Sequence, residues 1–128
     1  MQEEIIKKLE TEGFFKHNNY KIEKLTSDEV ILKTNIEKES LNPYGIAHGG
    51  FIYGLGDTLM GILAAIDGRK AVTLDANITY LSPGIGKYLI AKGSIVKNGK
   101  TVSHLKADIY NDKNKHIATM SSNYFYIN

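Results

Sequence analysis

One stretch constrains the fold of this chain more than any other: between His48 and Ile66 there is a single charged residue, Asp57. At about 100° per residue, Ile52, Leu55, Leu59, Ile62, Leu63 and Ile66 fall on one stripe of a helix. The opposite side carries Gly50, Tyr53, Met60, Gly61 and Ala64, which is no solvent face. A helix without a charged outer face is covered all round, so the pattern predicts a buried helix over residues 48–67. Its glycines lower helix propensity, so tertiary packing must hold it, and they let neighbours approach closely. The longest mostly apolar run, residues 51–66, is too short to span a bilayer.

What surrounds that helix reads mostly as strand. Ile5, Ile6 and Leu9 predict a short N-terminal helix ending at Gly13. Residues 20–25 and 29–36 flank a Thr26-Ser27-Asp28 turn and predict a hairpin, and residues 37–45 a loop. Beyond the long helix, residues 71–81 alternate, with Val72, Leu74, Ala76, Ile78 and Tyr80 on one face and Thr73, Asp75, Asn77 and Thr79 on the other. Ser82-Pro83-Gly84 breaks that run. Residues 88–97 and 101–111 are joined by Asn98-Gly99, the signature of a type I′ turn, and residues 116–127 form the last strand. Hairpin-like links make the sheet antiparallel, and one apolar helix beside one sheet of long strands implies a sheet curled around the helix. The expected fold is α+β, a single hotdog domain over residues 1–128.

Composition removes several function classes. The 128 residues carry a net charge of +2, which is not that of a nucleic-acid polycation. Lysine is in local excess only at Lys87, Lys92, Lys97, Lys100 and Lys106. Without cysteine there are no disulfides and no thiolate metal sites, and His17, His104 and His116 lack metal-ligand spacing. The amphipathic, charged start lacks the apolar core of a signal peptide. The expectation is a soluble, cytoplasmic protein with no metal or organic cofactor and no nucleic-acid or membrane partner.

Chemistry concentrates in one segment, Asn42-Pro-Tyr-Gly-Ile-Ala-His48-Gly49-Gly50, followed by Asp57. The first N–H groups of a helix have no partner within it, and with the dipole they can polarise a carbonyl oxygen. Two glycines there leave room for a substrate to come that close. Asp57 lies seven residues after Gly50, two turns on and along the same face. A carboxylate among apolar residues costs several kcal/mol unless paired, hydrogen-bonded or protonated, and such groups tend to be kept where they act. Plainer readings exist: Asp57 as a structural acid paired with Arg69, Asn42 as a turn residue before Pro43, His48 as a loop histidine satisfied by backbone.

The spacing Asn42-x-x-Gly45-x-x-His48-Gly49-Gly50 with Asp57 resembles the phenylacetate-pathway (PaaI-like) branch of hotdog thioesterases. Asn77-Ile-Thr-Tyr-Leu-Ser-Pro83 and Lys97-Asn-Gly-Lys-Thr101 extend the likeness from about Ser40 to the C-terminus. The resemblance implies an acyl-CoA thioesterase, releasing a free carboxylic acid and CoA. Gly49 would polarise the thioester carbonyl through its N–H, Asp57 would act as general base or nucleophile, and Asn42 would orient water or thioester. Thr73 would supply a helper hydroxyl, with Asp75 or Asn77 as alternatives on the same face, and His48 would shape the loop and hydrogen-bond the substrate. Gly50, Tyr80, Leu81, Ser82 and Pro83 would bind substrate, as would Lys97, Gly99 and Lys100, whose lysines could meet CoA phosphates as point charges. It also implies a homodimer or a dimer of dimers, each site built across two subunits. The rival is a noncatalytic acyl-CoA sensor. Against it, the roughly 40 residues before the motif show no helix-turn-helix and no basic cluster. A hotdog dehydratase or hydratase would need a His/Asp pairing that the sequence does not lay out.

Overall fold

The computed structural model describes residues 2–127. The chain opens with α1, Gln2–Thr11, whose Ile5, Ile6 and Leu9 rest against the core. Glu12 then closes the first helix through its N–H to Leu9 O (3.0 Å), and a separate five-residue helix, α2, runs Gly13–His17. The expected single helix ending at Gly13 is therefore two, with Gly13 starting the second. Burial of Phe15 turns the chain inward there. Strands β1 (Lys21–Leu25) and β2 (Glu29–Asn35) follow, turned by the Thr26 hydroxyl oxygen, which accepts from the Glu29 N–H at 3.0 Å. A single 3-10 turn, Lys38–Ser40, lies within the expected loop.

The long helix, α3, runs Gly49–Ala64 with His48 as its N-cap. It is followed by β3 (Lys70–Tyr80), β4 (Tyr88–Lys97), β5 (Val102–Asn111) and β6 (His116–Ile127). All six strands form one antiparallel sheet in the order β1-β2-β4-β5-β6-β3. The break at Ser82-Pro83-Gly84 is consequently a crossover: β3 leaves β6 at one end of the sheet and the chain returns to pair β4 with β2. The outer edge of β3 has no partner strand among the described residues.

The core lies between α3 and the sheet. Val30, Leu32, Leu89, Ala91, Leu105, Ala107, Ile109 and Met120 meet the predicted helix stripe, of which all but the half-buried Ile66 are buried. Contact is closest at two glycines: a Cβ on Gly56 would lie 2.1 Å from Met120 Sδ, and one on Gly93 2.0 Å from Leu59 Cδ2. These positions set how near the helix axis approaches β4 and β6. Of the helix's second side, Met60 and Ala64 are buried too. Tyr53, Asp57 and Gly61, spaced one turn apart, stay partly uncovered beside β3. No helix among the described residues is long and apolar enough to cross a membrane.

Candidate active site

The loop ahead of α3 is shaped by its own polar groups. The Asn42 side-chain oxygen accepts from the Tyr44 N–H (2.9 Å) and the Ile46 N–H (3.3 Å), so the turn reading of Asn42 holds for that oxygen. Gly45 takes φ +80°, a conformation few side chains tolerate. The loop is tied down at its end by the His48 N–H to Ser40 O (2.7 Å) and the Ala47 N–H to Gly84 O (2.9 Å). His48 then caps the helix: its Nδ1 accepts from the Gly50 N–H at 2.8 Å, and its carbonyl accepts from the N–H groups of Phe51 and Ile52. The backbone reading of His48 is the observed one, and the Gly50 N–H is occupied.

The Gly49 N–H has no acceptor among the described residues. It stands at the positive end of a 16-residue helix, where a partial negative charge is favoured. The Tyr80 hydroxyl donates to the Gly49 carbonyl at 2.6 Å and fixes that peptide. A cavity of about 370 Å³ opens here, lined by Asn42, Gly49, Ile52 and the run Tyr80, Leu81, Ser82, Pro83 and Gly84, along with Ile46 and Ala47. Asp57 does not line it.

Asp57 belongs to a second cluster. The Thr73 hydroxyl donates to Asp57 Oδ1 at 2.9 Å. The Tyr124 hydroxyl, from β6, approaches the same Oδ1 at 2.5 Å and the Asp57 backbone oxygen at 2.7 Å. Burial, and after it the hydrogen bond to Asp57, pushes the Tyr124 phenol above its ordinary range, so it stays protonated and donates. Burial also raises Tyr53, and the nearby Asp57 charge adds to it. Arg69 does not reach this carboxylate; its partner is Asp67, at 2.8 Å.

Thr73 faces Asp57 because β3 carries a bulge. Thr73 pairs with Tyr124 and Asp75 with Asn123, leaving Leu74 as the extra residue. The inward side therefore holds Thr73 before the bulge and Ala76, Ile78 and Tyr80 after it. Asp75 turns outward, where its Oδ1 accepts from Asn123 Nδ2 at 2.8 Å, and Asn77, opposite Ser121, shares that side. The strict alternation that grouped Thr73 with Asp75 and Asn77 is thus corrected, and neither alternative partner reaches the carboxylate.

Lys97, Gly99 and Lys100 form a third group. Their link is not a two-residue type I′ turn, since neither Asn98 nor Gly99 has positive φ, and four residues separate β4 from β5. The Gly99 N–H donates to Ser103 Oγ (3.1 Å), and Arg69 clamps the loop with bonds to Gly99 O (2.8 Å) and Asn98 Oδ1 (2.6 Å) while lying 3.6 Å above the Tyr126 ring. Both lysines are exposed.

One chain does not bring these groups together. Gly49 and Asp57 are eight residues apart, about 12 Å along the helix axis, too far to serve one carbonyl. The clamped hairpin adjoins Arg69, just before β3, whereas the cavity lies just after it, so roughly 30 Å of strand separates them. Sequence reasoning missed Tyr124, and it read Arg69 only as a possible partner of Asp57. A tyrosine in phase with Met120 on the inward side of β6 was the available signal, because a buried hydroxyl needs a partner.

The sequence pattern of the thioesterase superfamily matches residues 44–118, from the loop before α3 into β6. Human acyl-coenzyme A thioesterase 13 is 34% identical over 86 residues, covering 65% of this chain and 61% of that protein. The chain thus spans about three fifths of the curated relatives it matches first. A hypothetical thioesterase of Streptococcus pneumoniae TIGR4, solved with coenzyme A, is 34% identical with a TM-score of 0.81, covering 85% of this chain and 86% of that one. Two variants of that protein carry alanine in place of an aspartate and, sixteen positions on, of a threonine. The Escherichia coli PaaI protein has a TM-score of 0.89 at 22% identity, covering 93% of this chain and 87% of the other, a likeness of fold. With well over half of its 128 residues inside the matched family pattern, this chain is a member of the thioesterase superfamily.

Proposed function

We propose that this protein hydrolyses an acyl-CoA thioester, within the PaaI-like branch of the hotdog thioesterases. The observation that carries the reading is the Asp57 carboxylate, kept inside an apolar helix and bonded by Thr73 at 2.9 Å. Asp57 and Thr73 are sixteen positions apart, as are the aspartate and threonine altered in the pneumococcal thioesterase. In the proposed reaction the Gly49 N–H takes the developing charge on the thioester oxygen. As general base, Asp57 accepts a proton from water, whose oxygen bonds to the carbonyl carbon. The carbon–sulfur bond then breaks and the proton passes to the departing thiolate. As nucleophile, Asp57 would itself attack the carbon, the carbon–sulfur bond would break to release the thiolate, and water would hydrolyse the resulting anhydride, freeing the carboxylic acid, restoring Asp57 and supplying the thiol's proton. Asn42 offers its amide NH₂ to the reacting groups, since its oxygen is held in the turn.

The site is completed by a second copy. Among the described residues β3 ends the sheet with an unpaired edge, and Val72, Leu74 and Tyr80 on it are between 44% and 57% exposed. Such an edge is a template for pairing with another chain. Antiparallel pairing of two β3 strands about a two-fold axis near Ala76 and Asn77 sets each chain's Thr73–Asp57 cluster beside the other's Tyr80 and Gly49. It also carries the Lys97–Lys100 hairpin to the partner's Tyr80–Pro83 cavity. This closes both gaps within one chain.

Incubation with a panel of acyl-CoAs and a thiol reagent tests the function: free CoA is expected to appear catalytically with at least one acyl group. Binding of acyl-CoA with no thiol release across the panel would point instead to a ligand-sensing domain. The hairpin lysines give a further expectation. A solvated lysine–phosphate contact is weak and salt-screened, so Lys97→Ala and Lys100→Ala should each raise KM for acyl-CoA about threefold to fivefold, with kcat little changed. A truncated thioester without the nucleotide should be indifferent to both changes. Equal losses on both substrates would show that the lysines act through structure.

A further inference from the structure

We propose that Tyr124 is a positioning residue that, with Thr73, holds Oδ1 of Asp57 and leaves Oδ2 as the atom that does the chemistry. This rests on the reading of Asp57 as the catalytic carboxylate. Three facts carry it. Both hydroxyls converge on the same oxygen, Thr73 at 2.9 Å and Tyr124 at 2.5 Å, and Oδ2 has no partner among the described residues. Tyr124 is only 2% exposed, so its hydroxyl has no water to turn to. The same hydroxyl lies 2.7 Å from the Asp57 backbone oxygen, so its one proton is shared between the two oxygens of that residue and side-chain rotation is limited.

A carboxylate free to spin about its last bond presents either oxygen in many directions. One whose Oδ1 is fixed by two donors presents Oδ2 in one direction, and reactions lose rate steeply when the reacting atom strays from the productive geometry. Burial keeps the Tyr124 phenol protonated, so the grip persists across the neutral range. The strand arrangement serves this too: β6 contributes Tyr124 and β3, at the bulge, contributes Thr73 directly opposite.

The test is a set of four proteins assayed on the best acyl-CoA: wild type, Asp57→Asn, Tyr124→Phe and the double variant. Tyr124→Phe is expected to lower kcat about tenfold to a hundredfold with KM within about twofold. In the Asp57→Asn background the same change is expected to cost nothing more, because Tyr124 acts only through that carboxylate. Wild-type kcat in Tyr124→Phe, with Asp57→Asn inactive, would overturn the positioning role and leave the catalytic assignment of Asp57 standing. Equal fractional losses in both backgrounds, or a loss confined to KM, would also overturn it, since a structural tether behaves that way. Near wild-type kcat in Asp57→Asn would overturn both readings together. Where Tyr124→Phe fails to fold, a fluorinated tyrosine at this position preserves the shape and acidifies the phenol. A changed donor acidity should change kcat with KM steady, and a kcat that does not move on fluorination would overturn the role.

Discussion

Replacing Asp57 by asparagine is expected to lower kcat at least about a hundredfold while the protein stays folded. General base or nucleophilic carboxylates commonly contribute effects of that size. Asparagine is the sharper of the two obvious substitutions. Its amide oxygen can still accept from Thr73 and Tyr124, so the hydroxyls that bond Asp57 in the native protein keep a partner. What is lost is the charge and the basicity. Asp57→Ala should be as inactive and nearly as stable, because the Tyr124 hydroxyl retains the Asp57 backbone oxygen 2.7 Å away. Steady-state kinetics beside a thermal melt separates the cases. Near wild-type turnover in either variant would end the catalytic assignment.

The second large effect is recovery of activity from two dead proteins. Asp57→Ala removes the carboxylate, and Asn42→Ala removes both the amide and the turn that its oxygen holds through Tyr44 and Ile46. Mixed in equal amounts under subunit exchange, half the dimers are heterodimers, and each contains one site with the native Asp57 of one chain and the native Asn42 loop of the other. Activity should return to about a quarter of the wild-type value. The physical basis is the separation of about 12 Å between Gly49 and Asp57 on one helix, which no side-chain rotation closes. Sedimentation showing only a 14.2 kDa species at micromolar concentration would remove the shared site altogether. With exchange verified, no recovery would place both residues in one chain's site.

Much of this architecture was written in local pattern. The helix stripe, the alternating strands and the isolated carboxylate are properties of neighbouring residues, and helix α3 and strands β4 and β6 match their expected spans to within a few residues. What local pattern could not carry is pairing. Tyr124 meets Asp57 across 67 positions of chain, a relation no spacing rule contains. Arg69, read as a possible partner of Asp57, turned out to hold the hairpin at Asn98 and Gly99, because the end of α3 delivers it there. The Asn98-Gly99 dipeptide was misleading for a related reason: side-chain and Arg69 bonds stabilise a longer loop in place of the two-residue turn. Asn42 and His48 form the turn and the helix cap, the plainer readings, and both bonds lie close in sequence to the Gly49 peptide.

The bulge at Leu74 was the feature least visible to periodicity, since alternation assumes the phase never slips. Its effect reaches beyond the direction of Thr73. A straight eleven-residue edge with exposed Val72, Leu74 and Tyr80 would invite any extended chain to add to it, including copies stacking without end. With Leu74 left out of the pairing to β6, the backbone before it runs out of step with that after it, so Lys70–Thr73 and Asp75–Tyr80 are two short runs rather than one. Two short runs about the bulge still let one partner pair across Ala76 and Asn77, but they offer stacking copies no long straight template. The irregularity that aims a hydroxyl at Asp57 also breaks the straightness on which unlimited edge-to-edge stacking depends.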